Sequence, residues 1–269
     1  MTDSSAVQQA SRVEVSREGA VATVVLRNPG KRNALTVDMW RALTAAFHEL
    51  SADDGLRCVV LRGAGTEAFA AGADIAEFAQ VRNTRSQGLT YHRDLVFGAL
   101  RAVGECRHPT VAMIHGACAG GGLELACQCD LRLAGDSASL GVPINRLGFA
   151  IAWDELAALL PLIGRAAALE ILLEGRMWSA QEAFDKGLLT RVVSDAQLAA
   201  ETAATVQCIA AGAPLVARWH KQFIRRLTPL PPPPTEAESQ ANFDYFDTED
   251  YRIGYDAFMQ KRKPSFVGR

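Results

Sequence analysis

Short apolar runs alternate with amphipathic stretches along the first half of the chain, and that alternation restricts the fold more than any other feature of the sequence. Val13 and Val15, then Val21 to Leu26 beyond the turn at Gly19, have the period of a β-hairpin, which Asn28-Pro29-Gly30 ends. Thr36 is placed to cap a helix whose Val37, Trp40, Leu43, Phe47 and Leu50 fall on one face, and Asp53-Asp54-Gly55 stops it. Cys58 to Leu61 then reads as a short buried strand left through Gly63 to Gly65, and Thr110 to Ile114 repeats the pattern after a further helical stretch. Strand and helix in alternation argue for an α/β fold with helices packed outside a sheet.

The second half is mostly helical. Ser179 and Glu182 form a capping box, Gly187 is a C-terminal stop, and Leu188 to Val193 returns to strand. Leu198 to Leu227 is alanine-rich, and Gly212 and Pro214 should split it into two helices. Pro229 and Pro231 to Pro234 predict an extended linker, followed by an amphipathic stretch from Tyr251 to Lys263. The expected organisation is a flexible head over 1–11, a core domain over 12–195, and a C-terminal helical region over 196–269 that contains the linker at 229–234.

Composition excludes several functions. With 28 basic and 30 acidic side chains the net charge is −2, so no global positive field gathers nucleic acid or anionic lipid. A hydrophobic fraction of 49% over 269 residues is enough for a sizeable core. The scattered cysteines read as reduced core thiols, and Cys127-x-Cys129 lacks the spacing and the second pair of a zinc site. The five histidines show no metal spacing, and Trp40, Trp153, Trp178 and Trp219 read as core or interface residues. Met1 to Arg12 is polar, without the apolar stretch of a secretory signal, so a cytoplasmic protein is expected. Thr110 to Cys129 has nearly the length of a membrane span, but His115, Glu124 and Gly120 to Gly122 argue against one.

Two glycine-rich segments lead from a strand towards a helix: Phe69-Ala70-Ala71-Gly72-Ala73-Asp74-Ile75, and Gly116 to Leu125. Small residues there leave backbone N–H groups open to a bound oxygen, and a helix N-terminus adds positive potential. Neither segment has the G-x-G-x-x-G spacing of a dinucleotide site. Glu124 falls in the first turn of the second helix, beside the candidate donors.

Asn28 to Leu35, Phe69 to Ile75, Gly116 to Leu125 with Asp130, and Lys261-Arg262-Lys263-Pro264-Ser265-Phe266 together resemble the crotonase superfamily, the enoyl-CoA hydratase/isomerase group. The resemblance runs from about Val13 to Phe266. It implies an α/β spiral of repeated ββα units, with C-terminal helices completing a homotrimer or a dimer of trimers. It also implies an acyl-CoA substrate, with coenzyme A part of that substrate and no separate cofactor or metal. By resemblance, the N–H groups of Ala73 and Gly121 bind the thioester oxygen, and Glu124 activates water or shuttles a proton. Lys31, Arg32 and Ala34 match the segment that wraps the adenine and ribose phosphate; Ala71, Asp74 and Ile75 belong to the matching first loop. Phe258 and Lys261 match residues that reach a neighbouring subunit's ligand. His92 falls in a variable helix where the acyl pocket is expected.

One departure bears directly on activity. In the hydratases a second glutamate follows the first by twenty positions, after a proline; here Pro143 is followed by Ile144, which transfers no proton. Asp154 or Glu155 could supply a relocated acid, and each could equally be an acid favoured at a helix start. Hydration of a 2-enoyl-CoA leads, with 3-to-2 double-bond isomerisation, another relocated-acid reaction and a catalytically weak acyl-CoA or partner-binding protein as alternatives.

Overall fold

The computed structural model describes residues 10–228 and 234–269, so most of the expected head and nearly all of the proline linker lie outside the described residues. A hairpin of β1 (Arg12–Glu18) and β2 (Val21–Arg27) opens the fold, with Val13 opposite Leu26 and Val15 opposite Val24. Thr36 Oγ1 accepts the Met39 N–H at 3.3 Å and starts α1 (Val37–Ala52), which buries Trp40, Leu43 and Phe47 completely.

Strand pairs then recur, each followed by helix: β3 (Cys58–Gly63) with β4 (Ala68–Ala70), β5 (Thr110–Ile114) with β6 (Ala117–Ala119), and β7 (Leu131–Gly135) with β8 (Ser139–Gly141). The first strand of each pair joins one sheet, in the order β1-β2-β3-β5-β7-β10, and the second joins another, β4-β6-β8-β9; the two-residue β9 (Trp178–Ser179) and β10 (Arg191–Val193) complete them. From β2 to β10 the larger sheet is parallel, and its strands read as continuous apolar runs because both faces are covered. Each unit turns sharply from its second strand into its helix, and those turns build the site.

The helices after the second strands are α2 (Phe78–Val81), α3 (Arg85–Thr90), a π-helical turn over Tyr91–Val96, and α4 (Phe97–Glu105), then α5 (Gly121–Gln128) and α6 (Trp153–Glu174). Beyond them lie α7 (Ala180–Asp185), α8 (Asp195–Ala211), α9 (Pro214–Leu227), α10 (Glu236–Ala241) and α11 (Glu249–Met259). Gly212 and Pro214 divide α8 from α9 as their chemistry requires. The expected last stretch is shorter than its pattern: Thr248 caps α11, which ends at Met259. By length and composition α6 could cross a membrane, yet Gly164 breaks it with φ 72° and ψ 171°.

Five cysteines are buried, but Cys208 is exposed on α8, because only one face of that helix meets the sheet. Trp40 and Trp178 lie in the core, whereas Trp153 and Trp219 are exposed.

Candidate active site

The loops after β4 and β6 meet at two glycines. Gly72 has φ 101°, and a Cβ built on it would lie 3.3 Å from Ala119 O and 3.9 Å from Gly120 Cα. Gly120, at φ 47°, approaches Gly72 Cα in the same way. Leu35 N–H donates to Gly72 O and Asp74 N–H to Leu35 O, both at 2.8 Å, which leaves the Ala73 N–H between them unused. Gly121 opens α5, so its N–H has no intrahelical carbonyl. Among the described residues neither N–H makes a hydrogen bond, and both residues line one cavity.

That cavity has a volume of about 1180 Å³, above the roughly 300–1,000 Å³ of a drug-sized pocket. One end is formed by Lys31, Arg32, Ala34, Ala71, Asp74 and Ile75. The tight turn there places Arg32 and Asn33 at positive φ, 49° and 55°. Buried Asn33 holds it, donating to Ala64 O at 3.0 Å and Ala68 O at 2.8 Å, while Asn28 donates to Ala34 O at 2.7 Å. Ala71 N–H donates to Arg32 O at 3.0 Å, and Lys31 Nζ pairs with Asp74 at 2.6 Å, so the two segments form one wall. Lys31, Arg32, Lys261, Arg262 and Lys263 make this end cationic.

Phe258 and Lys261 lie on the same cavity. The C-terminal segment thus folds back over its own chain. The close approach is set by Gly254, where a Cβ would lie 2.4 Å from the Leu147 carbonyl carbon.

The rest of the cavity brings together two buried carboxyls. Glu124, on the first turn of α5, is buried, and its carboxyl has no hydrogen-bond partner among the described residues. A Cβ on Gly121 would come within 3.8 Å of Glu124 Oε2, so the carboxyl lies close to Gly121. Ile144 lines the wall without a proton to give. Glu155, on the first turn of α6, reaches the same cavity; Asp154 is not among its lining residues. His92 Nδ1 lies 2.6 Å from Glu155 Oε1, and the Ala152 N–H donates to Oε2 at 3.0 Å.

The two buried carboxyls are driven apart. Burial first, and then the charge of Glu155, hold Glu124 well above its ordinary value of 4.5, against the pull of Arg82. Burial also opposes ionisation of Glu155, but His92, the Ala152 N–H and Arg82 outweigh it and bring that carboxyl below 4.5. Two carboxyls whose surroundings push their pKa values in opposite directions can serve as an acid and a base. Partial burial and the charge of Glu155 raise Asp154 above 3.8.

An enoyl-CoA hydratase/isomerase family model matches residues 16–269. The chain belongs to the enoyl-CoA hydratase/isomerase family. Members of this family are enzymes, and a probable enoyl-CoA hydratase of Mycobacterium bovis is 34% identical over 258 residues, covering 95% of this chain and 97% of that protein. A solved enoyl-CoA hydratase/carnithine racemase of Magnetospirillum magneticum is 50% identical, with a TM-score of 0.80 and 97% of each chain covered. A methylmalonyl-CoA decarboxylase in complex with 2-nitronate-propionyl-CoA superposes with a TM-score of 0.86 at 27% identity, covering 96% of this chain and 98% of that one. The fold is therefore the crotonase fold, as the motifs imply.

Within this hydratase/isomerase scaffold, all the candidate catalytic and binding residues named from sequence except Asp154 line the cavity. Sequence reasoning missed Arg82 and Phe149, which also line it, and Tyr245, which binds Arg82. No local pattern marks them, because they converge from three distant segments. Among the described residues no cluster of three or more His, Cys, Asp or Glu could hold a metal ion.

Proposed function

We propose that this enzyme hydrates 2-enoyl-CoA thioesters with Glu155 as base and Glu124 as acid. The observation that carries the reading is the second buried carboxylate, supplied by α6 where Ile144 offers none. The N–H groups of Ala73 and Gly121 receive the thioester oxygen and stabilise the charge that grows on it; one such donor is worth about 2.7–4 kcal/mol. Glu155 takes a proton from water as its oxygen attacks the β-carbon. The displaced electron pair moves through the α-carbon to the thioester oxygen, and on its return the α-carbon takes the Glu124 proton. Transfer of one proton from Glu155 to Glu124 restores the site.

The cationic end, with Lys31, Arg32 and Lys261, suits the phosphates and nucleotide of coenzyme A, which belongs to the substrate. Leu215, Trp219, Phe223 and Leu227 form an exposed apolar stripe on α9, which supports assembly as a homotrimer or a dimer of trimers.

Loss of the enoyl absorbance of crotonyl-CoA tests the reaction. The expected result is turnover by the wild type that falls about 10²–10⁴-fold in Glu124→Gln and in Glu155→Gln. Isomerisation of a 3-enoyl-CoA without hydration of any 2-enoyl-CoA would instead assign the site to single-base chemistry.

A further inference from the structure

We infer that Arg82 and His92 are positioning residues that hold the Glu155 carboxylate in place for proton transfer, through the chain Arg82 Nε to His92 Nε2 and His92 Nδ1 to Glu155 Oε1. The inference rests on the acid–base reading of Glu155 above and adds a buried device that controls it.

The hydrogen bonds fix the imidazole. Arg82 Nε lies 3.1 Å from His92 Nε2, and a guanidinium only donates, so Nε2 presents its lone pair and the ring proton sits on Nδ1. That proton points at Glu155 Oε1, 2.6 Å away. With the Ala152 N–H on Oε2, each oxygen of the carboxylate has one fixed donor and retains acceptor capacity for a proton. The π-helical turn over Tyr91–Val96 presents His92, and π-helical turns often occur at functional sites.

Arg82 is itself held rigidly. It is 1% exposed, its Nη2 donates to Tyr245 OH at 2.7 Å, and its guanidinium lies 4.2 Å from the Phe149 ring centroid and 4.7 Å from that of Phe78. It makes no ion pair among the described residues, and its buried Nη1 has no partner. Burying a guanidinium without a carboxylate against it is costly. An aromatic plug alone would not require that charge, nor an imidazole aligned between it and Glu155.

The groups around Glu155 set the sign of the effect. Glu124 on α5, Asp154 on its own helix, and Tyr91 and Tyr245 feel its charge; His92 and Arg82 favour its ionised form. Removal of the imidazole N–H therefore makes Glu155 harder to ionise.

The test is the pH dependence of kcat/KM for crotonyl-CoA in the wild type, Glu155→Gln, His92→Phe, His92→Asn and Arg82→Lys, with circular dichroism confirming folding. His92→Phe should move the acidic limb up by about one pH unit or more. His92→Asn, whose amide N–H replaces Nδ1–H, should restore the limb towards its wild-type position, and Arg82→Lys should displace it partway. Where His92→Phe is too slow for a profile, the Asn and Lys variants carry the test. An acidic limb that stays put in folded His92 and Arg82 variants while Glu155→Gln is inactive would overturn the positioning role and leave the acid–base reading standing. Full activity of Glu155→Gln would overturn both.

Discussion

Glu124 and Glu155 share one cavity, and the charge of Glu155 helps to keep Glu124 protonated. Their different donors explain the asymmetry: Glu155 receives His92 and the Ala152 N–H, whereas Glu124 receives no hydrogen bond among the described residues. That asymmetry supports the proposed roles, with Glu124 giving a proton and Glu155 taking one.

Glu124 should make folding stability pH-dependent. Its folded pKa lies above the ordinary 4.5, so as pH rises from 4.5 to the folded value the unfolded chain loses this proton before the native chain does. The stability associated with the raised pKa is complete below 4.5 and is lost across that window. Glu124→Gln does not titrate, so its thermal midpoint should gain on that of the wild type as pH rises above 4.5, while its activity is lost. A constant difference in midpoint across this range would contradict the raised pKa.

Gly121 has no room for a side chain on its Trp40 side. A Cβ would lie 2.9 Å from Trp40 Cζ2 and 3.0 Å from Cη2, and Trp40 is fully buried. Gly121→Ala should displace the N–H and lower kcat by about 10²–10³-fold, with crotonyl-CoA binding measured by calorimetry changed little. Unchanged kcat would remove this N–H from the reaction.

Lys31 combines an exposed side chain with an ion pair to Asp74 at 2.6 Å, at the cationic end of the cavity. Lys31→Ala should raise KM by about tenfold or less with kcat preserved, and the defect should shrink as salt is added. A loss confined to kcat would place Lys31 in the chemistry instead.

The stripe on α9 should be covered in solution. Phe223 is 56% exposed and Leu227 79%, and with Leu215 and Trp219 they form a contiguous apolar patch of the kind that marks an interface. Light scattering should give the wild type a mass three or six times that of the 28.9 kDa chain, and Phe223→Glu should lower it. A wild-type monomer would refute the assembly.

The long elements were legible because their periodicity is local. Thr36, Ser179, Gly212 and Pro214 mark boundaries that the structure keeps, and Thr110 to Ile114 is a strand over the same residues. The short strands β4, β6 and β8 were not legible, since three residues are too few to display a period of two. In the site, Ile144 pointed to a missing acid, and Asp154 and Glu155 were equivalent by sequence. Helix geometry separates them, because adjacent residues point about 100° apart and only Glu155 meets the cavity wall. Arg82 and Tyr245 were invisible because their meeting depends on a C-terminal segment 163 residues away.

The measurement that bears most directly on the division of labour is infrared difference spectroscopy of the carboxyl stretch near neutral pH, comparing the wild type with Glu124→Gln and Glu155→Gln. The expected result is a protonated-carboxyl band in the wild type that disappears in Glu124→Gln and persists in Glu155→Gln. A band that disappears with Glu155, or no such band in the wild type, would contradict the assignment of Glu124 as acid and Glu155 as base.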